Sequence, residues 1–428
     1  MMDKRYPGPE TIHKVELANG ITILAYESFA AESVVIEGLI KGAGGLSDTL
    51  NQAGLADFTA DLLMRGTQKR DFTSINEDLE SVGAYLGIGS GRHVTQFSAH
   101  SLVEDVDLIL DLLAQALRTP TFPEEQVEQV RGLNLTGLQM RADDTRQMAN
   151  LRFMETTYAG HPYGRSLRGY PETLAAISRD DLAAFHKRHY GPQGMIIALV
   201  GAVPIKTAIE KVTAVFADWQ NVEQVVTTAV AAMPRPAQIV YTHAHIPEKS
   251  QADIVLGLPG PLRSAPDYLH ASLMNTILGV FGMMGRIGNN VREEKGLAYY
   301  AASHLSGGLG PSPWTAYAGV APDKVELAIA GILEEIDRIQ QEPVPAEELA
   351  DNIAYRTGSL PVSLETNAAL ADVIVDLELF DLGLDYLQGF SHQMRNVNAD
   401  QVQAAAQKYL SSEQLVISVA GPEGRRGK

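Results

Sequence analysis

Short apolar runs rich in β-forming residues recur along the chain, and each predicts a buried strand. In the first half they span residues 20–26, 34–40 and 195–200, and in the second half residues 238–242, 253–258 and 415–420. Stretches with apolar residues at helical spacing separate the second run of each half from its last run. Because strands and helices follow one another in the same order in both halves, the pattern predicts an α+β fold.

An internal repeat with an offset of 220 residues relates the two halves. Residues 199–201 match residues 419–421 without a gap, and Asp180 matches Asp400. In each copy a helix-capping residue, Ser178 or Asn398, precedes an amphipathic helix and then a buried strand that closes on glycine. The repeat predicts two similar domains, each with an antiparallel-rich sheet packed with helices.

The composition between the halves changes to valine, threonine and alanine and ends in Met-Pro-Arg-Pro at residues 233–236. Such a segment is typical of an exposed linker. We therefore predict an N-terminal domain over residues 1–219, a linker over 220–236 and a C-terminal domain over 237–428.

The overall composition excludes several classes of function. A formal net charge of −18 and a pI near 5.0 argue against a nucleic-acid-binding protein, which needs a basic surface. The 428 residues include no cysteine, so disulfides and thiolate catalysis are excluded. No apolar stretch has the length of a membrane span or the form of a signal peptide, which favours a cytoplasmic protein without a membrane span.

One predicted helix has a notable set of polar positions. The segment 53–67 reads AGLADFTADLLMRGT, in which Asp57 and Asp61 lie four residues apart on one helix face and Ala60 lies between them. Two such aspartates are typical of a solvated polar face, and a weak cation site is the alternative.

This segment and its flanking glycines resemble the metal-binding helix of the pitrilysin family, which includes insulysin and the mitochondrial processing peptidase. In active members that helix carries His-x-x-Glu-His. The resemblance puts Asp57 and Asp61 at the two histidine positions and Ala60 at the position of the general base. A later helix of the family supplies a third ligand, and counting from Phe122-Pro123 puts that position at Gly137.

The resemblance therefore implies that the zinc ligands and the base are missing from this chain. A catalytic zinc needs several protein ligands, and hydrolysis needs a base within reach of the water. We predict that the chain takes no cofactor of its own and that zinc lies in a partner subunit.

A second segment, residues 285–300, resembles the Arg…Lys-Gly-Leu-Ala-Tyr signature of the same family. Locally it predicts a helix that ends at Lys295 with Gly296 at positive φ, followed by a strand from Tyr299. In active family members the equivalents of Arg292 and Tyr299 donate hydrogen bonds to the substrate carbonyl as it becomes an oxyanion. An arginine that only caps a helix or forms an ion pair is the structural alternative.

The resemblance as a whole implies a non-catalytic, substrate-binding subunit of a heterodimeric zinc metallopeptidase. Its expected partners are a zinc-bearing homologous peptidase subunit and an unfolded peptide, with Arg292 and Tyr299 contributed to the partner's active site. The chain is expected to be inactive alone. The alternatives are a structural scaffold subunit and a standalone peptide-binding module.

Overall fold

A computed structural model of the chain describes residues 2–226 and 229–423. The strands are β1 His13–Glu16, β2 Thr22–Glu27, β3 Ser33–Lys41, β4 Tyr85–Ser90, β5 Val94–Leu102, β6 Met195–Gly201, β7 Val240–His245, β8 Ala252–Pro259, β9 Ala298–Leu305, β10 Pro313–Val320 and β11 Val416–Gly421. The α-helices are α1 Leu55–Leu62, α2 Phe72–Ser81, α3 Val106–Arg118, α4 Glu124–Ala142, α5 Thr145–Thr157, α6 Pro171–Ala176, α7 Arg179–His189, α8 Ile205–Phe216, α9 Tyr268–Gly279, α10 Phe281–Gly288, α11 Val325–Gln341, α12 Ala346–Val362, α13 Asn367–Leu379, α14 Tyr386–Arg395 and α15 Ala399–Tyr409.

The chain forms two compact units, and each is assembled from three segments. Described residues within Met1–Leu138, Ser166–Thr228 and Pro361–Gly389 form the first unit. Those within Gln139–Arg165, Ala229–Leu360 and Phe390–Lys428 form the second. The predicted sequence domains 1–219 and 237–428 stay a prediction, and residues 227 and 228 of the predicted linker lie outside the described residues.

Each unit is built on one sheet, and the five strands of the second sheet have the same order as five strands of the first, which has β1 in addition. The first sheet runs β1-β2-β6-β3-β5-β4 and the second runs β7-β11-β8-β10-β9. In each sheet one neighbouring pair is parallel, β2 with β6 and β7 with β11, and every other pair is antiparallel. The predicted fold class, α+β with two similar domains from an internal repeat, is confirmed.

The repeated turn and helix before the last strand also match their prediction. Ser178 caps α7 and Asn398 caps α15, and both side chains accept a hydrogen bond from the backbone N–H three residues on. The side chain at that third position, Asp181 or Gln401, accepts a hydrogen bond from the backbone N–H of the capping residue, so both helices begin with a capping box. The two helices are 11 residues long and start 220 residues apart, as the repeat requires.

The last strand of each repeat is buried at every position, β6 in the first unit and β11 in the second. Both faces of each sheet must therefore be covered by helices. In the first unit α13 packs on β3 and β6, and in the second unit α5 packs on β7, β8 and β11. Each sheet is thus covered partly by a helix from the other half of the sequence.

Polar anchors fix the start of each of these two helices. In the second unit Thr145 donates a hydrogen bond to the buried Asp253 carboxylate at 2.5 Å. In the first unit the Asn367 amide donates to the backbone oxygen of Ser33 at 3.3 Å. In both cases the first residue of the helix bonds to the start of a central strand, β8 or β3.

No helix in residues 2–226 and 229–423 is both long enough and apolar enough to cross a membrane.

The packing of α5 predicts which unit depends on it. Phe153 is fully buried among Ala149, Ala244, Val255 and Val416, so Phe153→Ala should cost about 3–5 kcal/mol of stability in the second unit. Hydrogen exchange followed by mass spectrometry should show faster exchange in β8 and β11. Exchange in β3 and β6 should change much less, although Phe153 belongs to the first half of the sequence.

Asn150, exposed on the same helix, provides the matched control, and Asn150→Ala should leave both sheets protected. Loss of protection confined to β3 and β6 after Phe153→Ala would contradict the assignment of α5 to the second unit.

Candidate functional site

Helix α1 starts at a fixed point because a buried carboxylate holds its first turn. The Asp48 side chain accepts hydrogen bonds from the backbone N–H groups of Gly54 and Ala56, both at 2.9 Å. Gly54 has φ +94°, and a Cβ at this position would lie 2.8 Å from the Gly169 nitrogen, so only glycine fits. The loop before α1 therefore sets where Asp57 and Asp61 lie.

A cleft of about 290 Å³ in the first unit brings together the positions predicted from the sequence. Asp57 and Asp61 of α1 line one wall, and Leu133, Asn134 and Gly137 of α4 line the facing wall, with Arg168 beside them. The Asn134 amide donates a hydrogen bond to Asp61 Oδ2 at 2.9 Å. Gly137 thus lines the same cleft as the two aspartates.

The charge state of this cleft is unusual. Desolvation raises the pKa of Asp57 to about 7, with a further contribution from the Asp61 carboxylate, while the Arg168 guanidinium opposes the shift. Desolvation also raises the pKa of Asp61, and the Asn134 hydrogen bond opposes it. Near neutral pH the Asp57 side chain is therefore partly protonated.

The remaining positions of the cleft offer no catalytic group. Ala60 is 1% exposed and has no titratable atom, so it cannot act as a base. Gly137 has no side chain, and a Cβ built on it would meet no atom within 4 Å. The cleft therefore keeps the space for a third side chain without the group itself.

Asn134 and Arg168 are cleft residues that the sequence analysis did not identify. Asn134 lies three residues before Gly137 on α4, so it occupies the same helix face. This spacing could have identified Asn134 as a cleft residue from the sequence. Arg168 belongs to an irregular segment after α5, and no local pattern connects it with α1.

The second predicted pair, Arg292 and Tyr299, lies at the surface of the second unit. Tyr299 is the second residue of edge strand β9 and is 82% exposed. The Arg292 guanidinium carbon lies 5.9 Å from the centroid of its ring. The only ion pair of Arg292 within the described residues is with its neighbour Glu293 at 3.4 Å, a surface contact of small energetic value.

The local backbone differs in one respect from the predicted helix. Residues Asn289–Glu294 form a π-helical turn, in which the Lys295 N–H bonds to the Asn290 carbonyl five residues earlier. Gly296 follows with φ +59°, as predicted for the residue that ends the segment. The wider turn accommodates Asn290, whose buried amide donates to Glu335 Oε1 at 2.7 Å.

Tyr300, the next residue on β9, has a structural role. Its hydroxyl donates a hydrogen bond to the buried Asp253 carboxylate, and the Arg146 guanidinium carbon lies 5.2 Å from its ring centroid. Desolvation, followed by the interaction with Asp253, raises the pKa of this phenol above its usual range. Tyr299 and Tyr300 therefore lie in different environments although they are adjacent in sequence.

Relatives of this chain match it over nearly its whole length. A protein of Streptomyces coelicolor named an uncharacterized zinc protease is 26% identical over 97% of this chain and 90% of its own. Proteins named zinc proteases from Rickettsia bellii and Bacillus subtilis are 24% and 23% identical, over 98% and 96% of this chain and 99% of each relative.

Solved structures share the fold. The peptidase M16 inactive domain from Pseudomonas fluorescens superposes with a TM-score of 0.90 at 26% identity, covering 96% of this chain and 98% of that one. A protease from Helicobacter pylori also gives a TM-score of 0.90, at 18% identity, covering 97% of this chain and 100% of its own.

The relatives correct the prediction on cofactors. We predicted no cofactor for this chain, with zinc only in a partner, and that prediction is wrong, because the full-length relatives are named zinc proteases and point to zinc as the metal of this family.

The donors of the α1 cleft do not fit the usual zinc site with three protein ligands. Asp57 and Asp61 are its only carboxylates, and the described residues contain no group of three His, Cys, Asp or Glu side chains placed to hold a metal. We assign no chemical step to a metal in this cleft.

The raised pKa of Asp57 predicts how stability depends on pH. The unfolded-state pKa of aspartate is about 3.9, so between about pH 4 and 7 the folded chain holds a proton that the unfolded chain releases. Stability should therefore fall as pH rises through this window. At pH 8, Asp57→Asn should raise the free energy of unfolding by an amount on the order of 1–2 kcal/mol, a value reduced to allow for solvent access. At pH 4 the same substitution should change the free energy of unfolding little. Urea unfolding at both pH values measures this, and a constant difference between variant and natural chain would contradict it.

Two family models cover most of the chain. Insulinase (Peptidase family M16) matches residues 23–170, and Peptidase M16 inactive domain matches residues 176–354. Together with the full-length relatives and the shared fold, these matches confirm the resemblance to the pitrilysin family. The chain belongs to peptidase family M16, the insulinase family, and is similar to the M16 inactive domain in sequence and fold.

Proposed function

We propose that this chain is the non-catalytic, substrate-binding subunit of a heterodimeric zinc metallopeptidase. Its proposed partner is a zinc-bearing homologous peptidase subunit. This chain helps to enclose an unfolded peptide and contributes Arg292 and Tyr299 to the partner's active site.

The observation that carries the proposal is the presentation of Arg292 and Tyr299. The two side chains lie together at the start of an edge strand, and Tyr299 is largely exposed. Neither is held by a buried partner within the described residues, unlike the neighbouring Tyr300. A guanidinium and a phenol side by side are suited to stabilise an oxyanion, because both can donate hydrogen bonds to the negative charge as it develops.

The edges of the two sheets support a role in peptide binding. Strands β4 and β9 each end a sheet and pair on one side only within the described residues. A sheet edge can bind an extended peptide as an added strand through backbone hydrogen bonds. Strand β4 also packs against α1, so we infer that a peptide added to β4 would pass the cleft of Asp57 and Asp61.

The alternative functions make less use of these features. A scaffold subunit needs the fold and its interfaces, and it has no need for an exposed arginine and tyrosine side by side. A standalone peptide-binding module would use the sheet edge but would leave the pair without a reaction to assist. The retained pair therefore favours the peptidase subunit.

The proposal predicts the kinetics of two substitutions in the assembled heterodimer. Tyr299→Phe removes one hydroxyl with little change in packing and should lower kcat and kcat/KM together by roughly 10²- to 10³-fold. Arg292→Ala should lower both at least as much, because a charged donor is lost. Steady-state peptide hydrolysis by the chain mixed with a homologous zinc peptidase of the same cell measures both, after size-exclusion chromatography has shown that each variant forms the heterodimer.

Tyr241 provides the matched control, because it is an exposed tyrosine on β7, the opposite edge of the same sheet. Tyr241→Phe should leave turnover unchanged. Wild-type turnover in both Tyr299→Phe and Arg292→Ala would exclude the catalytic contribution and favour the scaffold. Failure of the two natural chains to associate would exclude the heterodimer itself.

A further inference from the structure

The second unit contains a polar cavity of about 610 Å³ that plays no part in the proposed peptidase function. Segments of α9, α10, the π-helical turn Asn289–Glu294, α11 and α12 form its wall. Five glutamates line it: Glu294, Glu334, Glu335, Glu342 and Glu348. Its size lies in the range of pockets that hold small organic ligands.

The cations around the cavity do not balance these carboxylates. Arg286 forms an ion pair with Glu348, whose carboxylate accepts hydrogen bonds from Arg286 Nε at 2.8 Å and from Nη2 at 2.5 Å. Lys295 pairs with Glu334 at 2.6 Å. Arg338 is shared between Glu342 at 3.3 Å and Glu335 at 3.8 Å. Three cations therefore face five carboxylates.

The excess negative charge falls on Glu294 and Glu335. Glu294 accepts a hydrogen bond from Asn289 at 2.7 Å and has no cation within 4.0 Å in the described part of the chain. Glu335 is 3% exposed, and its nearest cation is the shared Arg338. A buried carboxylate without its own counter-ion is costly, so this wall is suited to accept a further positive charge.

Buried polar atoms on the same wall also lack partners. Asn290 Oδ1, Asn352 Oδ1 and Glu335 Oε2 accept no hydrogen bond from the described residues, and Arg286 Nη1 donates none. Asn352 is only 1% exposed, and Glu335 Oε2 has the Arg338 guanidinium at 3.8 Å. Groups of this kind are usually satisfied in a native protein by water or by a ligand. Three of these four atoms are acceptors, so a ligand that satisfies them must carry N–H or O–H donors.

The arrangement favours an organic cation over a metal ion. The described residues contain no group of three His, Cys, Asp or Glu side chains close enough to hold one metal. A ligand that reaches separate carboxylates needs charges that are themselves separated. Ile277 and Phe281 add an apolar part to the wall, suited to methylene groups.

We propose that this cavity binds an aliphatic polyamine, with ammonium groups paired to Glu294 and Glu335 and methylene segments packed on Ile277 and Phe281. Arg292 and Tyr299 do not line this cavity, although Arg292 belongs to the turn Asn289–Glu294 that forms part of its wall. The proposed binding does not require a peptidase partner.

Isothermal titration calorimetry of the full chain with spermidine at low ionic strength tests the site. We expect saturable binding of one spermidine per chain. Glu335→Gln keeps the shape of the side chain and the acceptor for Asn290 but removes the charge, so it should weaken binding by about tenfold or more. Glu294→Gln, at an exposed position where folding is not at risk, should weaken binding in the same direction.

Glu326→Gln is the matched control, because Glu326 is exposed on α11 and does not line the cavity. It should leave the affinity unchanged. Equal weakening by Glu326→Gln would indicate general attraction to a chain of net charge −18 and would overturn the proposal. The absence of spermidine binding would overturn it too, as would preferential binding of magnesium that Glu335→Gln abolishes.

Discussion

The two sheets of this protein must each bury both faces, and this requirement explains most of the architecture. Strands β6, β8 and β11 are buried at every position, so helices must cover each sheet on both sides. The helix that completes the cover comes from the other half of the sequence, α13 in the first unit and α5 in the second. Neither half of the chain therefore contains all the apolar surface that its own sheet needs.

The polar anchors of the second unit connect this packing to the surface pair. Asp253 is buried and accepts hydrogen bonds from Thr145 at the start of α5, from Gln251 at 3.2 Å and from Tyr300 on β9. The Asp253 carboxylate thus connects helix α5 to edge strand β9, which carries Tyr299. Because its neighbour Tyr300 is held on the inner side, the backbone of β9 is fixed where Tyr299 is exposed. Positioning of this kind is what a donor to a developing oxyanion requires.

The cleft of the first unit differs from the Arg292 and Tyr299 pair in the chemical groups that it presents. Asp48 and Gly54 still place α1 against α4, and Gly137 still leaves room for a side chain between them. The groups that face each other there are carboxylates with raised pKa values, an amide and a guanidinium. The first unit thus contains a cleft without a catalytic base, while the proposed oxyanion donors Arg292 and Tyr299 lie in the second unit.

Local sequence patterns predicted the central strands and the capped helices, because each depends on residues close together in the chain. The two candidate sites were predicted from the family resemblance instead. The 220-residue repeat predicted that both sheets would have the same order of elements. It did not predict that α5 packs in the second unit and α13 in the first. The sequence of a thirteen-residue helix with an apolar face does not show which sheet that face covers. Asp48, Arg168 and Asp253 were missed for a related reason, since their roles depend on contacts between distant segments.

The most direct test of the central claim measures whether Tyr299 lies near a partner's metal. Tyr299 can be replaced by 3-fluorotyrosine in this chain, and cobalt can be substituted for zinc in the homologous partner. The account predicts strong paramagnetic broadening or shift of the fluorine resonance at position 299 in the cobalt heterodimer, and none for 3-fluorotyrosine placed at position 241. Fluorine spectra at position 299 that are identical with cobalt and with zinc would contradict it.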